Sequence, residues 1–209
     1  MSPAKKISNT GRLPSSEKKA RQAAVLKAAL KELQISGYHG LTMEKVAKRA
    51  KCSKETLYSW YQNKQGLLSK LIEQNADEAL NNLELASASN AEPTEVLKGI
   101  CVGLLTLLSS KQSVTLNHAA MASPELAKIL LRSGRYRAGP LIKQYIERLM
   151  DNGVLKKSDS EEAFTLLYGL AIRDIQIRIL LGEKAPSQQD IVISANLAVK
   201  QFFTLMQSE

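Results

Sequence analysis

Apolar residues recur every three or four positions along most of this chain, and no turn-bounded run alternates strictly with polar ones. Ala23, Leu26, Leu30 and Leu33 form one stripe, predicting a helix that starts near Ser15 or Ser16 and stops at Gly37. Lys18, Lys19, Arg21, Lys27 and Lys31 fall largely off that stripe. Residues 38–41 read as a turn, after which Thr42 can cap the next helix. Two short helical patterns follow, the second over about 53–61, joined by a turn too tight for anything but a sharp bend. A long pattern from about Lys64 to Ser87 carries Leu67, Leu68, Leu71, Ile72, Leu80 and Leu83, and residues 86–94 form a polar break. Further helical spans are expected at 94–109, 113–121, 124–133, 140–151, 160–181 and 187–206. Pro124 and Pro140 each stand where a helix would begin, and Asp151-Asn152-Gly153 reads as a turn. The prediction is an all-α chain with no repeat and no low-complexity tract.

Charge divides this helical chain unevenly. Of its 209 residues, the first 70 hold 15 Lys+Arg against 4 Asp+Glu, and the remainder hold 14 against 16. The net charge of +9 therefore belongs to the first third, an electrostatic footprint for a polyanion such as nucleic acid or an anionic membrane surface, or else a solvated basic face. Residues 1–14, with Pro3, Gly11, Pro14 and three cations, read as a disordered basic arm. Such an arm could reach into a minor groove or add only diffuse charge. No stretch approaches the roughly 18 apolar residues of a membrane helix, and the N-terminus lacks a secretory pattern. Cys52 and Cys101 build no disulfide framework, which fits a reducing cytoplasm.

Within the basic third, Val46, Leu57 and Trp60 supply an inner apolar face, and Ala47 is small where two helices must approach across the turn. Cys52, in that turn, reads as a small buried hydrophobe. Ser53 can cap the second helix, leaving free amides that suit a phosphate. Its outer face carries hydroxyls, aromatics and lysines, the composition of a helix laid in a major groove.

Thr42 to Leu68, with Leu57-Tyr58-Ser59-Trp60-Tyr61, Lys64 and Leu67-Leu68, resembles the DNA-binding region of the TetR family, specifically over residues 20–70. The resemblance implies an N-terminal three-helix helix-turn-helix DNA-binding domain over 15–70 and a C-terminal helical effector-binding and dimerisation domain over 71–209. It implies that Thr42, Ser53, Tyr58 and Lys64 hold the phosphate backbone. Lys54 and Thr56 match outward positions near base edges, Trp60 a position at the backbone or supporting the helix, and Tyr61 a core position. Three residues depart from the family pattern. Lys51 stands at a frequent glycine, costing about 1 kcal/mol if the backbone is left-handed there, with a phosphate contact as a possible offset. Glu55 replaces another frequent glycine; its carboxylate suits a helix N-terminus and could accept from a cytosine amino group, or simply repel phosphate. Ser59 replaces a frequent tyrosine.

Ser123 to Leu155, then Gly169-Leu170 and Leu180-Leu181-Gly182, resembles more loosely the C-terminal region of the AefR and efflux-regulator subgroup. The helices at 160–181 and 187–206 are apolar around more than one stripe, so a second chain is expected on them, with Phe164, Leu167, Ala171, Ile175, Ala195, Ala198 and Phe202 as candidate dimerisation residues. A cavity for a small apolar effector is expected between the long helix and those near 94–151. Its candidate lining is Cys101, Leu104, Leu105, Leu108, Asn117, His118, Met121, Leu126, Tyr136, Tyr145 and Met150, with core packing the competing reading for each. Arg132, Arg135 and Arg137 could receive an anionic group or form a solvated face.

Nothing points to catalysis. His39 and His118 are the chain's two histidines, neither at ligand spacing from a cysteine, and there is no phosphate loop or nucleophile elbow. No metal or cofactor is expected. The reading is a ligand-responsive, homodimeric, cytoplasmic repressor of double-stranded DNA without membrane partners. The alternatives are a ligand-independent architectural DNA binder, or a helical module whose basic end binds a membrane or another polyanion.

Overall fold

The computed structural model describes residues 15–88 and 91–207, so the proposed basic arm at 1–14 lies outside the described residues. Among these, every regular element is a helix: α1 (Ser15–Gly40), α2 (Met43–Ala50), α3 (Lys54–Tyr61), α4 (Lys64–Ser87), α5 (Pro93–Ser109), α6 (Lys111–Met121), α7 (Pro124–Ser133), α8 (Arg135–Asp151), α9 (Ser160–Ile172), α10 (Ile175–Leu180) and α11 (Gln188–Met206).

Three departures from the expected spans have local causes. The first helix kinks at Gly37 (φ 67°, ψ 179°), a backbone state that favours glycine, and then makes one more turn to Gly40. Helix α8 begins at Arg135, so Pro140 lies within its second turn instead of opening it. The span expected at 160–181 breaks at Arg173, whose left-handed backbone (φ 47°, ψ −128°) turns the chain into α10. The Arg173 side chain secures that break, donating through Nε to Leu170 O (3.3 Å) and through Nη2 to Gln201 Oε1 (3.3 Å) on α11.

Two hydrophobic clusters organise the chain. One joins α1, α2, α3 and the first half of α4 through Val25, Ala29, Val46, Leu57, Leu67 and Leu71, and it extends onto α6 and α7 through Leu116, Ala119, Ala120 and Leu126. The other holds the second half of α4 with α5, α8, α9 and α11, around Leu97, Ile146, Phe164 and Phe202. Helix α4, 24 residues and about 36 Å long at 1.5 Å per residue, passes from one to the other. No single described helix is long and apolar enough to cross a membrane.

An ion pair between a buried acid and an exposed arginine locks α1 to α2. Glu32, only 6% exposed, accepts from Arg49 Nε (3.0 Å) and from the Ser36 hydroxyl (3.1 Å). Burial alone would raise its pKa, but the hydrogen bonds from Arg49 and Ser36 outweigh it and hold the carboxyl below its ordinary value.

Candidate functional site

Helices α2 and α3 are short because each is bounded by strong local signals. Thr42 Oγ1 accepts from Lys45 N (3.2 Å) at the start of α2, and Ser53 Oγ accepts from Thr56 N (3.1 Å) at the start of α3. Between them Lys51 adopts the left-handed conformation (φ 52°, ψ 44°), and its N–H turns back to the α2 carbonyls of Ala47 and Lys48. Cys52 N follows, donating to Ala47 O (3.1 Å), which completes the bend. Val46, Ala47, Leu57 and Tyr61 anchor the pair inward; Trp60 and Cys52 are half-buried against the same cluster.

The outer face carries most of the candidate contact residues. Thr42, Lys51, Ser53, Lys54, Glu55 and Tyr58 are exposed, Tyr58 at 51%, and Thr56 is half-buried with its hydroxyl 3.0 Å from that of Ser53. Two candidates are engaged within the protein. Lys54 Nζ pairs with Glu44 Oε1 of α2 (3.1 Å), an ion pair that any contact of Lys54 outside the protein would have to break. Lys64, half-buried, donates from Nζ to Tyr38 O (3.0 Å) and lies 4.2 Å from the Tyr38 ring centroid, bolting α4 to the turn after the Gly37 kink. The backbone N–H of Glu55 and the Ser53 hydroxyl hold the Glu55 carboxyl below its ordinary value, placing a charged acid at the start of α3. A cleft of about 490 Å³ opens beside this helix, lined by Arg21, Lys51, Ser53, Thr56 and Trp60 among others. Arg21, an α1 cation, was not among the site residues expected from the sequence. Its only sequence signal was its place off the apolar stripe of the first helix.

A second cavity, of about 480 Å³, lies between α4, α5, α8 and α9. Ala76, Ala79, Leu80 and Leu83 of α4 form one wall. Gly99, Gly103 and Leu104 of α5 face it, and Arg135, Phe164 and Tyr168 form the α8–α9 side. Nine of the eleven residues expected there do not line it, among them Leu126 and Met150, which are buried in the two cores, and Tyr136, which is 65% exposed. Cys101 and Leu105 lie on the buried side of α5, and Tyr145 is buried within the α8 core. Asn117 Nδ2 donates to Ser113 O (2.8 Å) within its own helix. His118 is exposed, and its Nε2–H donates to Leu180 O (2.9 Å), while Met121 is 66% exposed. Leu104 and Leu108 do face the cavity.

The candidate dimerisation residues are also corrected. Phe164, Leu167, Ala171, Ala195, Ala198 and Phe202 are all buried in the subunit's own core, and Ile175 packs part-buried against it. Each helix is apolar on two sides, and these residues occupy the inner one. The outer side of α11 presents Ile193 (57% exposed), Leu197 (41%) and Leu205, while α9 presents Leu166, Gly169 and Leu170 around a shallow apolar depression.

Among the described residues, no group of three or more His, Cys, Asp or Glu side chains could hold a metal. Burial pushes the Cys101 thiol up to about 12 and raises that of Cys52.

Known proteins agree with this architecture. Residues 25–71 match the family model described as bacterial regulatory proteins of the tetR family, and residues 95–206 match the AefR-like transcriptional repressor C-terminal domain. A TetR transcriptional regulator from Agrobacterium tumefaciens is 34% identical, with 90% of this chain and 95% of that one covered and a TM-score of 0.69. A TetR-family regulator from Mesorhizobium loti, 18% identical, shares the fold over 94% of this chain and all of that one, with a TM-score of 0.80. The uncharacterised HTH-type transcriptional regulator YdeS of Bacillus subtilis is 26% identical over 151 residues, 70% of this chain and 73% of that protein. With both parts of the chain matched in order, and the helix-turn-helix in place within the first, this protein belongs to the TetR family of transcriptional regulators.

Proposed function

We propose that this helix-turn-helix regulator is a dimeric repressor of a near-palindromic operator, released when a small apolar effector enters the cavity between α4, α5, α8 and α9. Regulators of this family are non-enzymatic DNA-binding proteins that act as dimers and often bind small-molecule effectors. The observation that carries the reading is the continuity of α4. Its first half packs the reading head through Leu67, Leu68, Leu71 and Ile72, and its second half is a cavity wall. A molecule that displaces the wall therefore displaces the head.

Two α3 helices enter successive major grooves about 34 Å apart. Thr42, Ser53, Tyr58 and Lys64 set the register on phosphate, joined by Lys51 and Arg21 at the α3 cleft and by the residues before α1, while Lys54, Glu55 and Thr56 sample base edges. The exposed apolar residues Ile193, Leu197 and Leu205 of α11, with Leu166 and Leu170 of α9, form the dimer face. An effector needs a differential affinity on the order of a few kcal/mol between the two head spacings to move the protein from mostly bound to mostly free.

Selection from a random duplex pool at moderate salt tests the core of the reading. The expected result is an enriched inverted repeat with half-sites one turn apart. Recovery of no motif, with binding that vanishes as salt rises, reduces the basic head to a general polyanion surface.

A further inference from the structure

The effector cavity has a polar end whose chemistry narrows what can occupy it. Arg135 stacks on Phe164, with its guanidinium carbon 4.2 Å from the ring centroid. One of its N–H groups donates from Nη2 to Glu161 Oε1 (3.1 Å), and no other acceptor among the described residues takes its remaining donors. Glu161 is itself divided, because its second oxygen accepts from Lys143 Nζ (2.8 Å). One carboxylate thus serves two cations, so Glu161 neutralises Arg135 only in part. Tyr168 stands in the same wall, its ring centroid 6.0 Å from that of Phe164, and its hydroxyl has no hydrogen bond among the described residues. Burial raises the Tyr168 pKa, with Arg135 pulling the other way, so the hydroxyl stays protonated and can donate. The acid on the opposite wall, Glu78, is exposed and accepts from Gln74 Nε2 (3.0 Å).

Shape narrows the choice as well. Gly99 and Gly103 are four residues apart on one face of α5, and a Cβ added at either would meet nothing within 4 Å. Side chains are missing there although packing leaves room for them, so bare helix backbone lines the cavity that Phe164 and Tyr168 also line.

We infer that the cavity takes a flat aromatic molecule bearing a single anionic group, seated with the anion at Arg135 and Tyr168 and its rings along the Gly99–Gly103 face. This deepens the effector reading above and rests on it. Stacking on rings and on bare helix backbone favours a planar body, and the spare donors favour an acceptor that carries charge.

Two fluorescent probes separate the terms. 8-Anilinonaphthalene-1-sulfonate and N-phenyl-1-naphthylamine share one ring skeleton and differ by the sulfonate. Titrated into the full-length protein, the sulfonate is expected to bind about tenfold more tightly, the effect of one charge-assisted hydrogen bond. Arg135→Gln should abolish that preference, read as the ratio of the two probes' affinities in the same variant. Glu161→Gln, which frees Arg135 from its competitor, should strengthen sulfonate binding, and Gly99→Leu should weaken both probes by filling the cavity. Equal affinities, no binding of either probe, a preference that survives Arg135→Gln, or sulfonate binding indifferent to Gly99→Leu would each overturn the inference. Operator release is measured in parallel. Probe binding with the expected pattern but no release defeats the effector reading alone, and release by the neutral probe without any anion preference defeats only this inference.

Discussion

Replacing Lys51 by glycine should make the protein more stable and a poorer DNA binder at once. Lys51 is exposed and held at φ 52°, ψ 44° by the bend between α2 and α3. That conformation costs an L side chain about 1–2 kcal/mol, from which glycine's extra freedom in the unfolded chain takes back about 0.5–1 kcal/mol. The net gain is about 1 kcal/mol, equivalent to about 2–4 °C in melting temperature for a chain of this size. Thermal unfolding of Lys51→Gly beside Lys51→Ala separates the terms, since alanine keeps the strain and should show no gain. On DNA both variants lose the same cation. Each should bind more weakly at low salt, with the dependence of log K on log salt reduced by about one phosphate contact. A Lys51→Gly protein that melts at or below the parent temperature would refute the strain reasoning. Unchanged DNA affinity in Lys51→Ala would remove Lys51 from the interface.

Tyr61→Phe deletes a buried hydroxyl that has no partner among the described residues, and should raise stability by about 1 kcal/mol in denaturant unfolding; a loss would reveal a partner for it. The Glu32 carboxyl has a folded pKa below its ordinary value of 4.5, so its stabilising effect is complete above that value and fades as pH falls through the lower folded value. Glu32→Gln should therefore be less stable at pH 7 and should flatten the acid limb of the stability profile below about pH 4.5, whereas parallel acid limbs would show the Arg49 pair to be inconsequential. With its thiol pushed up to about 12, Cys101 should resist a thiol-reactive reagent at pH 8 until the chain unfolds, while the half-exposed Cys52 reacts slowly; rapid reaction of both thiols in the native protein contradicts the packing. Leu197→Asp should turn the proposed dimer into a folded monomer in sedimentation equilibrium and weaken operator binding, and an intact dimer would move the interface away from α11.

The reading head was legible because its signals are local. Thr42 and Ser53 announce helix starts by chemistry that works within three residues, and Val46, Leu57 and Leu67 fall at helical spacing. What escaped the sequence depends on partners far along the chain. Phe202 and Ile193 are both apolar residues on α11, and only the placement of α5 and α9 decides that the first turns inward and the second outward. The cavity was misassigned for a related reason. Apolar residues such as Cys101 and Leu105 attract attention, yet Gly99 and Gly103 line the space on another face of the same helix. Arg173 broke an expected long helix because a charged residue gives no sign in sequence that its backbone will turn left-handed. Pro140 misled in the opposite direction, since the helix it was expected to open already had a turn before it.

The cluster that seats α1 to α4 does not end with them. Leu116 and Ala119 of α6 and Leu126 of α7 are as deeply enclosed in it as Leu57 or Leu67. A chain severed after residue 70 would leave that seat open to water, so the head is not a cassette that can be lifted off and grafted elsewhere. A chimera intended to exchange heads should carry α6 and α7 along with the segment it borrows.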